Sequence, residues 1–235
     1  MIKIFRNIRK QLLTEGRLRK YILYAIGEIF LVVVGILIAL SINNWNNIKI
    51  LRQTELKIYE NLRNQIYEDR DILNGVIDYN KTYHEQYDFA NQIIKKNNRN
   101  KIDTLIQIAP NIYKYSDFNR TGNIYQNLVN SGDIKLLKNS SIVKRIQGLE
   151  ELYIYINRLE DNHFKVILKY GGTGLIDNIN LSTGEIERPN EIYSFKFQNL
   201  LLVFMNISEE KEEIYRRALK EIEVLSVLID KELQE

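Results

Sequence analysis

The chain has 235 residues, a formal net charge of +3, two histidines and no cysteine. The absence of cysteine excludes thiolate chemistry, disulfide bonds and cysteine-ligated zinc. The positive charge comes from the first twenty residues, which carry seven basic side chains and one acidic one. The remaining residues hold 26 basic and 29 acidic side chains, a net charge of −3, so no nucleic-acid partner is expected.

An apolar segment from Tyr21 to Ile42 predicts one transmembrane helix. Its roughly 22 residues, at about 1.5 Å each, span about 33 Å, which is enough for a hydrocarbon core of about 30 Å. Its central part, residues 29–40, carries no charge. A cleaved signal peptide is the competing interpretation, since Ala39-Leu40-Ser41 offers small residues to a signal peptidase. The length of the apolar segment and of the region before it favours a retained anchor.

The flanks of this segment predict its orientation. Basic residues are retained on the cytoplasmic side of a membrane, and here they precede the helix, whereas residues 43–47 are uncharged. We therefore expect a cytoplasmic tail over residues 1–20, a transmembrane helix over 21–42 and an extracytoplasmic domain over 43–235. Amphipathic rings favour the headgroup layers, and the expected interface aromatics are Tyr21, Tyr24 and Trp45.

The cytoplasmic tail has the pattern of a short basic amphipathic helix. Its apolar residues recur at steps of three and four, and its cations fall mostly elsewhere. Anionic lipid would attract such a helix by roughly 1 kcal/mol per cation near the surface. The predicted lipid-surface residues are Lys3, Arg6, Arg9 and Lys10. The alternative interpretation is that these cations serve only to set the topology.

One face of the predicted transmembrane helix combines a carboxylate with small residues. Glu28, Gly35, Ala39 and Ile42 are seven, four and three residues apart, so they share this face. Gly35 and Ala39 form a small-xxx-small pair that permits close approach of another membrane helix. We expect this face to contact a partner's helix or a second copy of the chain. The alternative is that Glu28 reaches the inner headgroups or Lys20.

The domain after the membrane is predicted to be all-α. Apolar side chains recur at helical steps from Leu51 to Ile94 with no proline between them, so one long helix should leave the membrane. It should end in the polar run 95–100. Further helices are expected over residues 123–130, 142–169, 191–205 and 208–233.

Local signals predict how these helices begin and end. Gly132 fits a left-handed cap, Ser140 or Ser141 an N-cap, and the acidic residues of 209–213 a helix amino terminus. Turn residues predict a small hairpin or an irregular excursion near 175–188. The long outgoing helix and the long terminal helix together predict an antiparallel bundle.

Motifs for catalysis or metal binding are incomplete. Glu160 and His163 form one E-x-x-H, but a di-iron bundle needs two of them and further glutamates. The glycine cluster 171–174 lacks the following Lys-Ser or Lys-Thr of a phosphate-binding loop. We therefore expect no enzyme activity, no cofactor and no metal. A group of tyrosines, which includes Tyr115 and Tyr153, fits a core or a compositional bias better than a ligand pocket.

Two stretches of the sequence are similar to a known family. The block from Lys20 to Asn46, preceded by Phe5-Arg6-Asn7-Ile8-Arg9, closely resembles the opening of an uncharacterised family of single-pass membrane proteins common in flavobacteria and related bacteria. The stretch from Tyr125 to Asn139 resembles that family's internal signature. The resemblance implies a bacterial inner-membrane anchor with a periplasmic helical domain, and it transfers no catalytic residues.

Two function classes fit these observations. The first is a membrane-anchored scaffold or accessory subunit that presents a periplasmic helical domain to protein partners. The second is a ligand-sensing periplasmic module that acts through a separate transducer. We favour the first because a cytoplasmic portion of about twenty residues is too short to hold an output domain.

Overall fold

The computed structural model describes residues 18–120, 122–171, 177–180, 182–183 and 185–234. The regular elements within these ranges are helical, which confirms the all-α prediction. The α-helices are α1 (Leu18–Lys95), α2 (Ile102–Ile108), α3 (Ile124–Ser131), α4 (Ser140–Val166), α5 (Pro189–Ile192) and α6 (Phe195–Gln234). Short 3-10 helices lie at Arg99–Lys101, Ala109–Tyr113 and Asp133–Leu136, and a π-helical turn lies at Ile167–Gly171.

The first helix, α1, continues without interruption for 78 residues. This confirms the prediction of one long helix that passes through Ile94. Gly75 is exposed within it and does not break it. The helix ends at Lys95 because Asn97 adopts a φ of 45° and its N–H returns to the carbonyl of Ile94, at 2.9 Å.

The packing of the chain divides into two units, one that ends at Glu55 and one that runs from Leu56 to Glu235. In the first unit, α1 carries an 18-residue window with a mean hydropathy of 2.7, of which 0% is buried. Among the described residues, α1 is the one helix that is long and apolar enough to cross a membrane.

The core of the second unit consists of two clusters of buried apolar side chains. Burying one large apolar side chain stabilises a fold by about 1.5–3 kcal/mol, so these clusters hold the helices together. The first cluster joins α1, α4 and α6 and includes Leu62, Leu73, Ile142, Ile156, Tyr215 and Leu225. The second joins the end of α1 to α2 and the start of α6 and includes Tyr87, Ile94, Leu105, Ile112, Leu201 and Phe204.

Polar contacts link α6 to α4 and to α1 in an ordered series. Between α4 and α6 the pairs are Asn139 with Glu232 at 2.7 Å, Arg145 with Glu221 at 2.8 Å and Tyr155 with Glu210 at 2.7 Å. Between α1 and α6 they are Arg63 with Asp230 at 3.4 Å, Asn80 with the Ser208 carbonyl at 2.7 Å and Asn91 with Gln198 at 3.0 Å. In both series, the residue number of the α6 partner falls as the residue number of its partner on the other helix rises.

The helix ends confirm one predicted cap and correct another. Gly132 follows α3 with a φ of 80°, as predicted for a left-handed cap. The predicted N-cap at Ser140 or Ser141 is wrong, because both residues lie inside α4. Asn139 caps the helix, and its side-chain oxygen accepts from the N–H groups of Ser141 and Ile142 at 3.0 and 3.3 Å.

The predicted break between residues 205 and 208 is absent. The last helix, α6, continues through this point because Phe204, Ser208, Lys211 and Tyr215 follow helical spacing and are all buried. Tertiary packing therefore overrides the local polar sequence. The acidic residues of 209–213 lie in the middle of the helix and not at its amino terminus.

The region predicted as a hairpin contains one antiparallel bridge between Ile179 and Ile186. The N–H of Asn180 donates to the Glu185 carbonyl at 2.8 Å, and the N–H of Glu187 donates to the Asn178 carbonyl at 2.9 Å. The described residues of this region form this turn and no strand. Residues 172–176, 181 and 184 lie outside the described residues.

Two glycine substitutions test this account of α1 and of the α3 cap. Gly75→Ala should raise the free energy of unfolding by about 0.5–1 kcal/mol, because alanine is the better helix former and a Cβ at Gly75 meets no atom within 4 Å. Gly132→Ala should lower it by about 1 kcal/mol, because alanine disfavours a positive φ. Urea unfolding of the detergent-solubilised chain, followed by circular dichroism, measures both. Equal effects of the two substitutions would contradict the account.

Candidate functional site

The predicted membrane-contact face is open within the described part of the chain. Gly35, Ala39 and Ile42 are exposed, and Glu28 is half-buried. A Cβ placed on Gly35 meets no atom within 4 Å. This face therefore has space for the close approach of another helix.

The predicted interface residues are described only in part. Trp45 is exposed, and the Lys49 ammonium lies 5.6 Å from the centre of its ring. Tyr24 is half-buried. The Tyr21 side chain lies outside what the structure describes, as do the predicted lipid-surface residues Lys3, Arg6, Arg9 and Lys10.

A buried polar cluster in the second unit is a feature that sequence reasoning missed. It consists of Ser116, Glu160, His163, Lys211 and Tyr215, which are all at most 3% exposed. The connecting segment 114–120 supplies the serine, α4 supplies the glutamate and the histidine, and α6 supplies the lysine and the tyrosine. Charged side chains are rarely buried this completely, so the cluster needs a physical explanation.

Hydrogen bonds tie the polar cluster together. One oxygen of Glu160, Oε1, accepts from the Phe118 N–H at 2.8 Å and also from the Tyr215 hydroxyl. The Tyr215 hydroxyl lies 3.1 Å from that of Ser116. Lys211 Nζ donates to the Ser116 carbonyl at 2.6 Å. The cluster thus fixes the connecting segment 114–120 between α4 and α6.

His163 is placed as a neutral acceptor. Its Nδ1 lies 3.4 Å from Lys211 Nζ, and because an ammonium only donates, the ring proton is assigned to Nε2. Two buried atoms of the cluster, Glu160 Oε2 and His163 Nε2, have no hydrogen-bond partner in the described part of the structure. Such atoms mark places where water or a ligand can add a contact.

Burial shifts the pKa of each charged group in the cluster. It raises the pKa of Glu160 to about 7, although hydrogen bonds from Tyr215 and Phe118 and the Lys211 charge favour the carboxylate. It lowers the pKa of Lys211 to about 8, against the attraction of Glu160. Burial and repulsion from Lys211 lower the pKa of His163 to about 3. Near pH 7 the histidine is therefore neutral.

The residues of the E-x-x-H sequence belong to the buried polar cluster and do not have the surroundings of a metal site. Glu160 and His163 are both buried, and the Lys211 ammonium lies 3.4 Å from His163 Nδ1, the nitrogen that would otherwise be free to bind a metal. Within the residues that the structure describes, no group of three or more His, Asp or Glu side chains could hold a metal ion. The sequence signal for the cluster is a lysine within the apolar stripe of α6.

Two clefts lie against the long helices of the second unit. A groove of about 860 Å³ between α4 and α6 is lined by Gly148, Leu152, Ile214 and Leu228 and by several charged residues. A smaller cleft of about 220 Å³ lies beside the polar cluster and includes Glu160 in its wall.

The opposite pKa shifts of Glu160 and His163 predict a specific pH dependence. Between pH 4.5 and about 7 the folded state holds the Glu160 proton that the unfolded state has released, so this group makes stability fall as pH rises. Between about pH 3 and 6.5, His163 binds fewer protons in the folded state and makes stability rise. The two contributions oppose each other where these ranges overlap.

Glu160→Gln should remove one of these contributions. The free energy of unfolding of this variant, relative to the unsubstituted chain, should rise between pH 4.5 and 7 by up to about 1.4 kcal/mol per pH unit. Urea unfolding at a series of pH values measures it. Glu151→Gln, an exposed substitution on the same helix, is the control and should give a flat difference. A flat difference for Glu160→Gln would contradict the assignment.

Comparisons with known proteins give one match. Neither the curated proteins nor the solved structures contain a protein that matches this chain. The model of the DUF6090 family, described as a family of unknown function, matches residues 28–206. This range includes most of α1, the polar-cluster residues of α4 and the stretch 125–139 that resembles a family signature. The chain belongs to the DUF6090 family.

Proposed function

We propose that this protein is a membrane-anchored scaffold or accessory subunit that presents a helical domain to protein partners. The observation that carries the proposal is the exposed apolar window of α1, with a mean hydropathy of 2.7, in which the small-residue face is open. An apolar surface of this length needs hydrocarbon or protein to cover it. The proposed location is the bacterial inner membrane, with the amino terminus cytoplasmic and the domain periplasmic, because basic residues precede the segment.

The membrane helix is proposed to dock on another membrane helix. Gly35 and Ala39 allow two backbones to approach, and helix association in lipid depends on such close packing. Glu28 lies on the same face, where a carboxyl can hydrogen-bond across the contact. The partner is a different membrane protein or a second copy of this chain.

The second unit is proposed to be an antiparallel helical bundle. The support is the order of the polar pairs: the residue numbers on α6 decrease as those on α1 and α4 increase. Apolar residues of all three helices meet in one cluster. A bundle of this kind offers a rigid surface on which a partner can bind.

The groove between α4 and α6 is the proposed surface for a protein partner. Gly148 leaves open space in it, since a Cβ there meets no atom within 4 Å. Leu152, Ile214 and Leu228 supply apolar surface, and Lys144 and Glu221 also line it. A groove that combines apolar and charged side chains fits an amphipathic helix.

A ligand-sensing module is the second candidate. It is favoured by one observation, the cleft beside the buried carboxyl of Glu160. Such a module is proposed to act through a separate transducer.

A substitution in the membrane helix tests the docking face. Gly35→Leu should abolish crosslinking to the membrane partner, because the added side chain separates the two helices. The measurement is photo-crosslinking in membranes followed by mass spectrometry. Gly27→Leu is the matched control, since Gly27 lies roughly 80° around the helix from Gly35 and its Cβ also meets no atom within 4 Å. Unchanged crosslinking of Gly35→Leu would contradict docking through this face.

A pair of substitutions tests the groove. Gly148→Trp should fill it and weaken capture of the proposed protein partner at least tenfold, because the indole ring would occupy the space that a partner helix needs. Gly148→Ala should retain binding and raise the free energy of unfolding by up to about 1 kcal/mol. Quantitative crosslinking and urea unfolding measure the two effects. Equal partner binding by both variants would exclude the groove as the binding surface.

A further inference from the structure

The small cleft beside the polar cluster combines aromatic rings with acidic side chains. Its volume is about 220 Å³, and it is lined by Tyr115, Asp117, Asn157, Glu160, Asp161 and Phe164. The last four positions lie on one face of α4, and the first two come from the connecting segment 114–120. The polar cluster holds that segment against α4 through the Phe118 N–H and the Glu160 carboxyl.

The walls of the cleft favour a positive charge. The rings of Tyr115 and Phe164 have their centres 5.5 Å apart and are inclined by 36°. Aromatic faces attract ammonium groups, and Lys211 Nζ already lies 5.7 Å from the centre of the Tyr115 ring. Asp161 is paired with Lys165 at 2.5 Å, outside the polar cluster.

Acidic side chains line the cleft, and no basic side chain is among the lining residues that the structure describes. The acids are Asp117, Glu160 and Asp161. Asp161 is paired with Lys165, and Asp117 acts on both Glu160 and Lys211 through its charge. This lining favours a positively charged ligand over a negatively charged one.

The buried carboxyl of Glu160 lacks one hydrogen bond. The residue is 3% exposed and forms part of the cleft wall, and its Oε1 already accepts two hydrogen bonds. Its Oε2 has no partner among the described residues. A buried carboxylate oxygen without a donor is unfavourable, whereas an ammonium group offers three donors.

We propose that this cleft binds a small free amine in its ammonium form. One N–H of the ligand is donated to Glu160 Oε2, and its charge lies against the rings of Tyr115 and Phe164. A volume of about 220 Å³ equals about seven water molecules at roughly 30 Å³ each, which suits an amine of a few heavy atoms. The proposal rests on the second candidate function, the ligand-sensing module at this cleft, and names the ligand class. It is independent of the membrane-helix contact, so either can fail without the other.

Calorimetric titration of the full chain in detergent micelles tests the site. The probe is ethanolamine, and ethylene glycol is its uncharged isostere. Cacodylate buffer is used because amine buffers would compete and phosphate would precipitate the calcium that serves as a control below. Ethanolamine should bind at least tenfold more tightly than ethylene glycol. Equal binding of the two, or binding of neither, would overturn the proposal.

Substitutions then place the ligand in the cleft. Glu160→Gln should weaken ethanolamine binding at least tenfold, and Phe164→Ala should weaken it roughly threefold through loss of the ring. Phe164 is 40% exposed, so its removal should not prevent folding even if Glu160→Gln does. Glu151→Gln removes an exposed carboxylate from the same helix and should leave binding unchanged. Unchanged binding in Phe164→Ala, or equal weakening in Glu151→Gln, would overturn the assignment.

Two further probes distinguish the ligand class. O-phosphoethanolamine is ethanolamine whose hydroxyl is esterified to phosphate, as in a lipid headgroup. The acidic walls should repel this phosphate and exclude the compound. Equal binding of this compound would overturn the assignment to a free amine and point to a headgroup. Magnesium and calcium should not displace ethanolamine, since no three acidic or histidine side chains among the described residues are grouped as ligands of one metal ion. Displacement at equal concentration would overturn the ammonium proposal in favour of a metal.

Discussion

The burial of Lys211 in the second unit is the constraint on which much of its structure depends. An ammonium group leaves water only where acceptors and negative charge replace its hydration. Here the Ser116 carbonyl accepts its hydrogen bond and the Glu160 carboxyl attracts its charge. Because these partners come from a connecting segment and from α4, the lysine of α6 holds three parts of the chain in one arrangement.

The same constraint connects the fold to the cleft. Tyr215 and the Phe118 N–H both bond to Oε1 of Glu160, which leaves Oε2 as the atom without a partner in the described residues. A carboxyl group with two hydrogen bonds to one oxygen and none to the other can accept a further hydrogen bond from a ligand. The cleft therefore follows from how the core is built, and its rings come from segments that the core holds in place.

Local patterns in the sequence predicted the parts of the fold that depend on local physics. The long α1 follows from helical spacing without a proline, and Gly132 follows from the left-handed conformation of its cap. The continuity of α6 could not be predicted in this way, because it depends on Phe204 and Ser208 being buried by distant residues. The cap by Asn139 was missed because two serines beside it also fit the pattern.

The polar cluster was beyond local reasoning for a related reason. Glu160 and His163 were visible as an incomplete motif, but their partner Lys211 is distant in sequence and stands in an apolar stripe. Its place in that stripe is a sequence signal for burial, but lysine usually lies at the surface, so the spacing alone did not identify the cluster. Gly35 and Ala39 show the reverse case, since their shared face is evident from spacing alone, but the helix that is proposed to cover them is not part of the described chain.

We propose that the apolar helix of this protein recognises a membrane partner. Crosslinking in intact cells of the tagged full chain beside a version with an unrelated transmembrane helix, followed by mass spectrometry, tests this proposal. The natural chain should crosslink to a defined membrane partner, and the exchanged chain should lose that partner. A partner set that is unchanged by the exchange would contradict the claim and place recognition in the helical domain.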